Sequence, residues 1–94
     1  MTKAEIASIV HERLGLSKKE SAEMVDAVLD RIRDALAGHE DVKLSGFGHF
    51  MVRHKQRRRG RNPKTGETIM IEPRTVVTFR ASPLLKQKIN RGGD

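Results

Sequence analysis

Residues 53–74 read RHKQRRRGRNPKTGETIMIEPR, and this stretch decides how the rest of the chain can be arranged. It carries Arg53, Lys55, Arg57, Arg58, Arg59, Arg61, Lys64 and Arg74 against only Glu67 and Glu72, so it cannot lie in a core and it suits a polyanionic partner. At its centre, Asn62-Pro63-Lys64-Thr65-Gly66 is turn chemistry, because Pro fixes φ while Asn and Gly tolerate left-handed backbone. A basic run enters this turn, and Ile69 and Ile71 leave it with the period of a strand. By composition such a charge run is either a solvated loop or a two-stranded arm. The tip favours the arm: a proline at the end of a charged ribbon is one of the apolar wedges that can enter between base pairs from a minor groove. Flanking arginines then follow the narrow, negative groove walls.

Ninety-four residues make one small domain with a thin core. Hydrophobic residues are 36% of the chain, with no Trp or Tyr and only Phe47, Phe50 and Phe79 as large anchors, so a lone copy is under-cored and dimerisation is the expected remedy. The charge is divided along the chain. Residues 1–41 hold six Lys or Arg against nine Asp or Glu, net −3, and residues 42–94 hold thirteen against three, net +10. A positive half would speed encounter with nucleic acid. The absence of cysteine leaves neither disulfides nor thiolate chemistry, and no apolar run approaches a membrane span or a signal peptide, so the expected location is cytoplasmic.

Taken in order, Thr2-Lys3-Ala4-Glu5 has the form of a capping box, and Ile6, Ile9, Val10 and Leu14 recur at helical spacing up to Gly15. The spacing predicts a helix over 3–14. Ser17-Lys18-Lys19-Glu20 repeats the cap, and Ala22, Val25, Val28, Leu29, Ile32 and Leu36 trace an apolar stripe before Gly38. The two helices are expected to form a hairpin. Glu12, Glu23, Asp26, Asp30, Arg31, Arg33 and Asp34 are read as a solvated face whose acids would keep the second helix away from a phosphate backbone.

After Asp41 the period changes to two: Val42 and Leu44 alternate with Lys43 and Ser45, and Phe50 and Val52 with Met51 and Arg53. Two strands are predicted, joined by Ser45-Gly46-Phe47-Gly48 with Phe47 plugging the core. That Gly-rich turn lacks the GK[ST] ending of a phosphate-binding loop. Thr75-Val76-Val77-Thr78-Phe79 predicts a third strand of the sheet. Ser82-Pro83 reads as N-cap and first residue of a last helix, with Gly92-Gly93 ending it. Arg80, Lys86 and that helix start could clamp a phosphate, or the helix could be a plain surface element.

The order and wording of these elements resemble the bacterial HU and integration host factor family along essentially the whole chain. KLSGFGHF at 43–50, GRNPKTGE at 60–67 and VVTFRAS at 76–82 carry the resemblance, and they look more like integration host factor alpha chains than like a typical HU. HU and integration host factor are themselves standard examples of minor-groove architectural proteins, so the function follows here by analogy. The resemblance implies an α+β fold: a helical hairpin, a three-stranded antiparallel sheet with a long β-ribbon arm, a short C-terminal helix, and an intertwined dimer. It divides one domain over residues 1–94 into a helical dimerisation base (1–40), a body sheet (41–54 and 74–81), a DNA-binding arm (55–73) and the last helix (82–91). Asp94 follows soon after, so no separate tail domain is expected.

By position, the resemblance makes Pro63 the intercalating wedge, with Arg58, Arg61 and Asn62 along the minor groove. Lys55, Arg57, Lys64 and Arg74 would neutralise phosphates, and Lys3, Ser45, Arg80 and Lys86 would meet the flanking backbone. Arg59 also belongs to this DNA-binding set but is a departure, since alpha chains commonly have proline just before this glycine; an extra cation favours non-specific binding.

The expected function is an architectural protein that binds the minor groove of double-stranded DNA as a dimer and bends it, serving nucleoid organisation, recombination, replication and transcription. Its partner chain would be an identical copy or a related beta subunit. HU-like compaction is the nearest alternative. An RNA-binding or ribosome-associated role is another, disfavoured because the chain lacks an aromatic platform for unpaired bases. Catalysis is not expected, for His11, His39, His49 and His54 show no paired metal spacing. Neither a cofactor, a metal, a small-molecule substrate nor a membrane is implied.

Overall fold

The computed structural model describes residues 1–92, which divide into two compact units, residues 1–38 and the residues from 39 onward. The elements follow the predicted order: α1 (Lys3–Leu14), α2 (Lys18–Ala37), β1 (Val42–Leu44), β2 (Gly48–Lys55), β3 (Arg58–Arg61), β4 (Thr68–Ile71), β5 (Arg74–Ala81) and α3 (Pro83–Asn90).

The first unit is a helical hairpin built on its caps. Thr2 Oγ1 accepts the Glu5 N–H at 3.2 Å, and Gly15, at φ 71°, gives its N–H to His11 O. His11 Nδ1 lies 2.5 Å from Leu16 O, which ties the end of α1 to the linker. Ser17 and Glu20 form both halves of a capping box, at 3.0 and 3.4 Å. Ser21 is fully buried, and its hydroxyl donates to Ser17 O at 2.9 Å, so that hydroxyl keeps a partner. On the stripe of α2, Val25 is buried but Val28 is 55% exposed, so one chain covers only part of that face. Asp30 pairs with Arg33 on the solvated side and raises the guanidinium pKa further. The helix stops at Gly38 as predicted, yet Gly38 keeps φ −83°, and the left-handed residue is His39 at φ 63°.

The second unit holds an antiparallel sheet in the order β1-β2-β5 and a separate two-stranded sheet of β3 and β4. Pleating puts alternate residues on opposite faces. One face of the larger sheet carries Val42, Leu44, Phe50, Val52, Val77, Phe79 and Ala81. Phe79 is central to it, with ring centroids 4.7 Å from Phe50 and 5.4 Å from Phe47. The expectation that Phe47 plugs a core is corrected here: it joins the cluster from the β1–β2 turn, and it stays 47% exposed while Phe79 stays 44% exposed. The cause is the thin core anticipated from composition, since among the described residues only Val25 and Ala35 are buried hydrophobic side chains.

At the edge of the sheet, Asp41 Oδ1 accepts the Val52 N–H at 2.9 Å, so a carboxylate continues the ladder where β1 has not yet begun. Ser82 caps α3 by accepting the Leu85 N–H at 3.1 Å, and its own N–H reaches Phe47 O at 2.9 Å. Gly92 is left-handed at φ 74°; Gly93 and Asp94, read as the helix stop and the chain end, lie outside the described residues.

Candidate nucleic-acid interface

Residues directly opposed in an antiparallel pair share a face. The registers therefore place Lys43, His49 and Arg80, then Met51 and Thr78, Arg53 and Val76, and Lys55 and Arg74, together on the face away from the phenylalanines. Five permanent cations and a histidine occupy it, and none of its nine positions is acidic. Sequence reasoning gave Lys55, Arg74 and Arg80 DNA-contact roles, counted Arg53 only among the charges of the basic stretch, and missed Lys43. The signal was available, for Lys43 sits between the apolar Val42 and Leu44 and Arg53 follows Val52, both at the strand period.

At one end of this face, Ser45, Lys43, His49 and Arg80 line an open hollow together with Ser82 and Pro83 at the start of α3. Arg80 and the helix start, two of the three parts of the phosphate-clamp reading, thus share one hollow with Ser45, whereas Lys86, the third, is not among the residues that line it. Lys86 lies one turn into α3, its N–H bonded to Ser82 O at 3.0 Å. The free N–H groups and positive dipole end of a helix favour an anion there.

The ribbon pairs Arg58 with Ile71, Arg59 with Met70, Gly60 with Ile69 and Arg61 with Thr68. Its tip is closed by Asn62 N–H to Glu67 O at 2.8 Å and Gly66 N–H to Asn62 O at 2.7 Å. Asn62 Oδ1 accepts the Lys64 N–H at 2.9 Å, an Asx turn around Pro63, which is exposed. Only Gly66, at φ 74°, uses the left-handed region there, so Asn62 serves through its side chain instead. Arg59 and Arg61 share one face of the ribbon, and Arg58 lies on the other with Gly60, Ile69 and Ile71. Arg58 and Arg61, both expected along the minor groove beside Pro63, are three residues apart and so point to opposite faces of the ribbon.

Two of the expected phosphate contacts already hold carboxylates. Arg57 Nη2 lies 3.0 Å from Glu72 Oε1 beside the gap between the two sheets, and Lys3 Nζ lies 2.8 Å from Asp26 Oδ1 in the first unit. The Arg57–Glu72 pair is more than half exposed, and exposed pairs are worth roughly 0–1 kcal/mol, little enough for a phosphate to replace the acid, whereas the Asp26 oxygen beside Lys3 is itself buried. Lys55 and Arg74 face one another at the root of the ribbon, where with His54, Gln56, Pro73 and Thr75 they border a shallow hollow.

A sheet with one cationic face, prolonged by a cationic ribbon with proline at its tip, defines a nucleic-acid-binding protein. The chain belongs to the bacterial DNA-binding protein family, whose sequence profile matches residues 1–90. It is 54% identical over 94 residues to the integration host factor subunit alpha of Bordetella avium, covering 100% of this chain and 81% of that one. It is 57% identical over 89 residues to the subunit alpha of Marinobacter nauticus, covering 95% and 89%. Among solved structures it resembles the Anabaena HU–DNA cocrystal structure, with a TM-score of 0.78 and 36% identity over 95% of this chain and 97% of that one. The resemblance carried by KLSGFGHF, GRNPKTGE and VVTFRAS is therefore confirmed at the level of the family. Among the described residues, no helix is long and apolar enough to cross a membrane, and no group of three or more His, Cys, Asp or Glu is placed to hold a metal ion.

Proposed function

We propose that this chain is one half of a dimeric architectural protein that grips double-stranded DNA from the minor groove and bends it. The observation that carries this reading is the exposed Pro63 at the closed tip of a ribbon bearing Arg58, Arg59, Arg61 and Lys64. Pro63 is the wedge, entering a base step and localising the kink. Asn62, Arg59 and Arg61 follow the groove, while Arg58 and Lys64 meet its walls. Lys55, Arg57 and Arg74 neutralise phosphates at the arm root, and Ser45, Arg80, Lys86 and Lys3 hold the flanking backbone. Sharp bending costs on the order of 1–10 kcal/mol, and phosphate contacts along the cationic face offset it.

The helical unit and the half-exposed phenylalanine face supply the dimer contacts, with residues 55–73 acting as the arm and 82–91 as the support of the phosphate hollow. The second chain is an identical copy or a related beta subunit; the alpha-subunit relatives support the latter. The protein works in the nucleoid, in the cytoplasm, and acts by binding, with no bond made or broken. Arg59, sharing a face with Arg61, gives the groove-following side a second cation and tilts the balance toward HU-like, weakly selective binding.

The test is competition. A fluorescently labelled duplex with an internal kink is challenged with intact duplex and with structured RNA at fixed salt, while energy transfer between the duplex ends reports the bend. Preference for the kinked duplex together with end-to-end shortening is expected. Equal displacement by RNA, or binding without shortening, overturns the reading.

A further inference from the structure

Lys43, His49 and Arg80 form a single row across the sheet. Lys43 lies opposite His49 in the β1–β2 register, and His49 lies opposite Arg80 in the β2–β5 register. Side chains so opposed share a face with Cβ atoms about 4.5–5.5 Å apart, and like charges in such positions repel. All three line the hollow that Ser82 and Pro83 close at the start of α3. The middle member is a histidine, the one of the three whose side chain exists in both a neutral and a charged form in biological settings.

The groups facing His49 are few. Lys43 flanks it from β1 and Arg80 from β5, while the β1–β2 turn and the start of α3 contribute the neutral Ser45, Ser82 and Pro83. From the chain entering β1, Asp41 Oδ2 lies 3.5 Å from His49 Nε2. Its other oxygen accepts the Val52 N–H, so the carboxylate is held in place by the backbone rather than free to follow the ring. A protonated His49 can then donate from Nε2 to Asp41 and still carry an N–H at Nδ1. Its side chain is 34% exposed, which leaves it open to a ligand in the hollow. A third cation in this row is tolerated best when an anion seats on it, and a backbone phosphate is the anion this face is shaped to receive.

We infer that His49 is a proton-dependent phosphate contact: DNA binding on this face takes up a proton at His49 and completes a three-cation row with Lys43 and Arg80. The inference rests on the DNA-binding reading above and adds to it a dependence on pH. The proton comes from solvent and stays on the imidazole while the phosphate is bound. Affinity therefore rises as pH falls from 8 to 6. One added phosphate contact steepens the salt dependence by about 0.9, which near 0.1 M salt corresponds to roughly eightfold tighter binding.

The test measures duplex affinity by fluorescence anisotropy at pH 8 and pH 6, at one salt concentration, for the wild type, His49→Asn and His49→Lys. The ratio of the two affinities is compared between proteins, so that any effect of pH common to all three cancels. A wild-type ratio of roughly three to ten is expected. His49→Asn should lose most of it. His49→Lys should show a ratio near one and approach, at pH 8, the wild-type affinity at pH 6. If His49→Asn does not fold, the Lys variant decides alone. The same ratio in the wild type and the folded variants overturns the proposal and leaves DNA binding standing; no duplex binding by the wild type at either pH overturns the DNA-binding reading and this proposal with it.

Discussion

Phe79 lies across Gly48 so closely that a Cβ on Gly48 would come within 2.4 Å of the ring, with Arg80 O at 2.7 Å behind it. The ring cannot retreat without leaving Phe50 and Phe47, and the carbonyl belongs to the β2–β5 ladder. Gly48→Ala should therefore cost about 1–3 kcal/mol, as overpacking does. Thermal unfolding should show a drop of roughly 5–15 °C for a chain of this size. Gly60→Ala is the control: its Cβ would meet Ile71 Cδ1 at 2.6 Å, the movable end of a side chain, and its melting temperature should shift much less.

Pro63→Ala removes the wedge and leaves the cations and the Asn62 turn in place. Bending should fall more than affinity does. Ring-closure rates of short duplexes, compared with anisotropy titrations, separate the two quantities. An unchanged bend would mean that the proline does not enter the stack.

The two faces of the ribbon should behave differently. Removing Arg59 and Arg61 together, which share a face, should lower the salt slope of DNA binding by about 1 for each phosphate no longer neutralised and weaken binding to all sequences alike. Pairing the same number of deletions as Arg58 and Arg61 splits the effect between faces. If only one face meets DNA, that double variant should show about half the slope change of the first. Titrations over a range of salt read both.

Half-exposed Phe47, Phe79 and Val77, with so few apolar side chains buried in one copy, make folding depend on a second chain. The melting temperature should rise with protein concentration, as mass action requires of a dimer that folds as it assembles. Sedimentation at the same concentrations checks the link. A melting temperature independent of concentration would detach the apolar face from dimerisation.

Much of the fold is written locally. Thr2, Ser17 and Ser82 mark three helix starts because a cap needs only partners two or three residues away, and Asn62-Pro63 with Gly66 closes a turn through bonds within six residues. The strand period likewise separated Val42 and Leu44 from Lys43. The left-handed residue after α2 was not legible, because Gly38 offers that geometry at no cost and the chain uses His39 instead.

Sequence alone determined the order of the elements, the charge of the second half and a proline-tipped arm, since each depends on neighbours within a few turns of chain. Tertiary structure decided which cations act together. Lys43, His49 and Arg80 become one row only when strands up to 37 residues apart in sequence adopt a single register, and Arg58 parts from Arg61 only when the ribbon pleats. It also decided that Lys3 and Arg57 hold carboxylates, because Asp26 and Glu72 are brought to them by pairing and packing that no local pattern records. Cross-strand register is a choice among alternatives whose energies differ by the fit of whole faces, and that fit exists only once the sheet has formed.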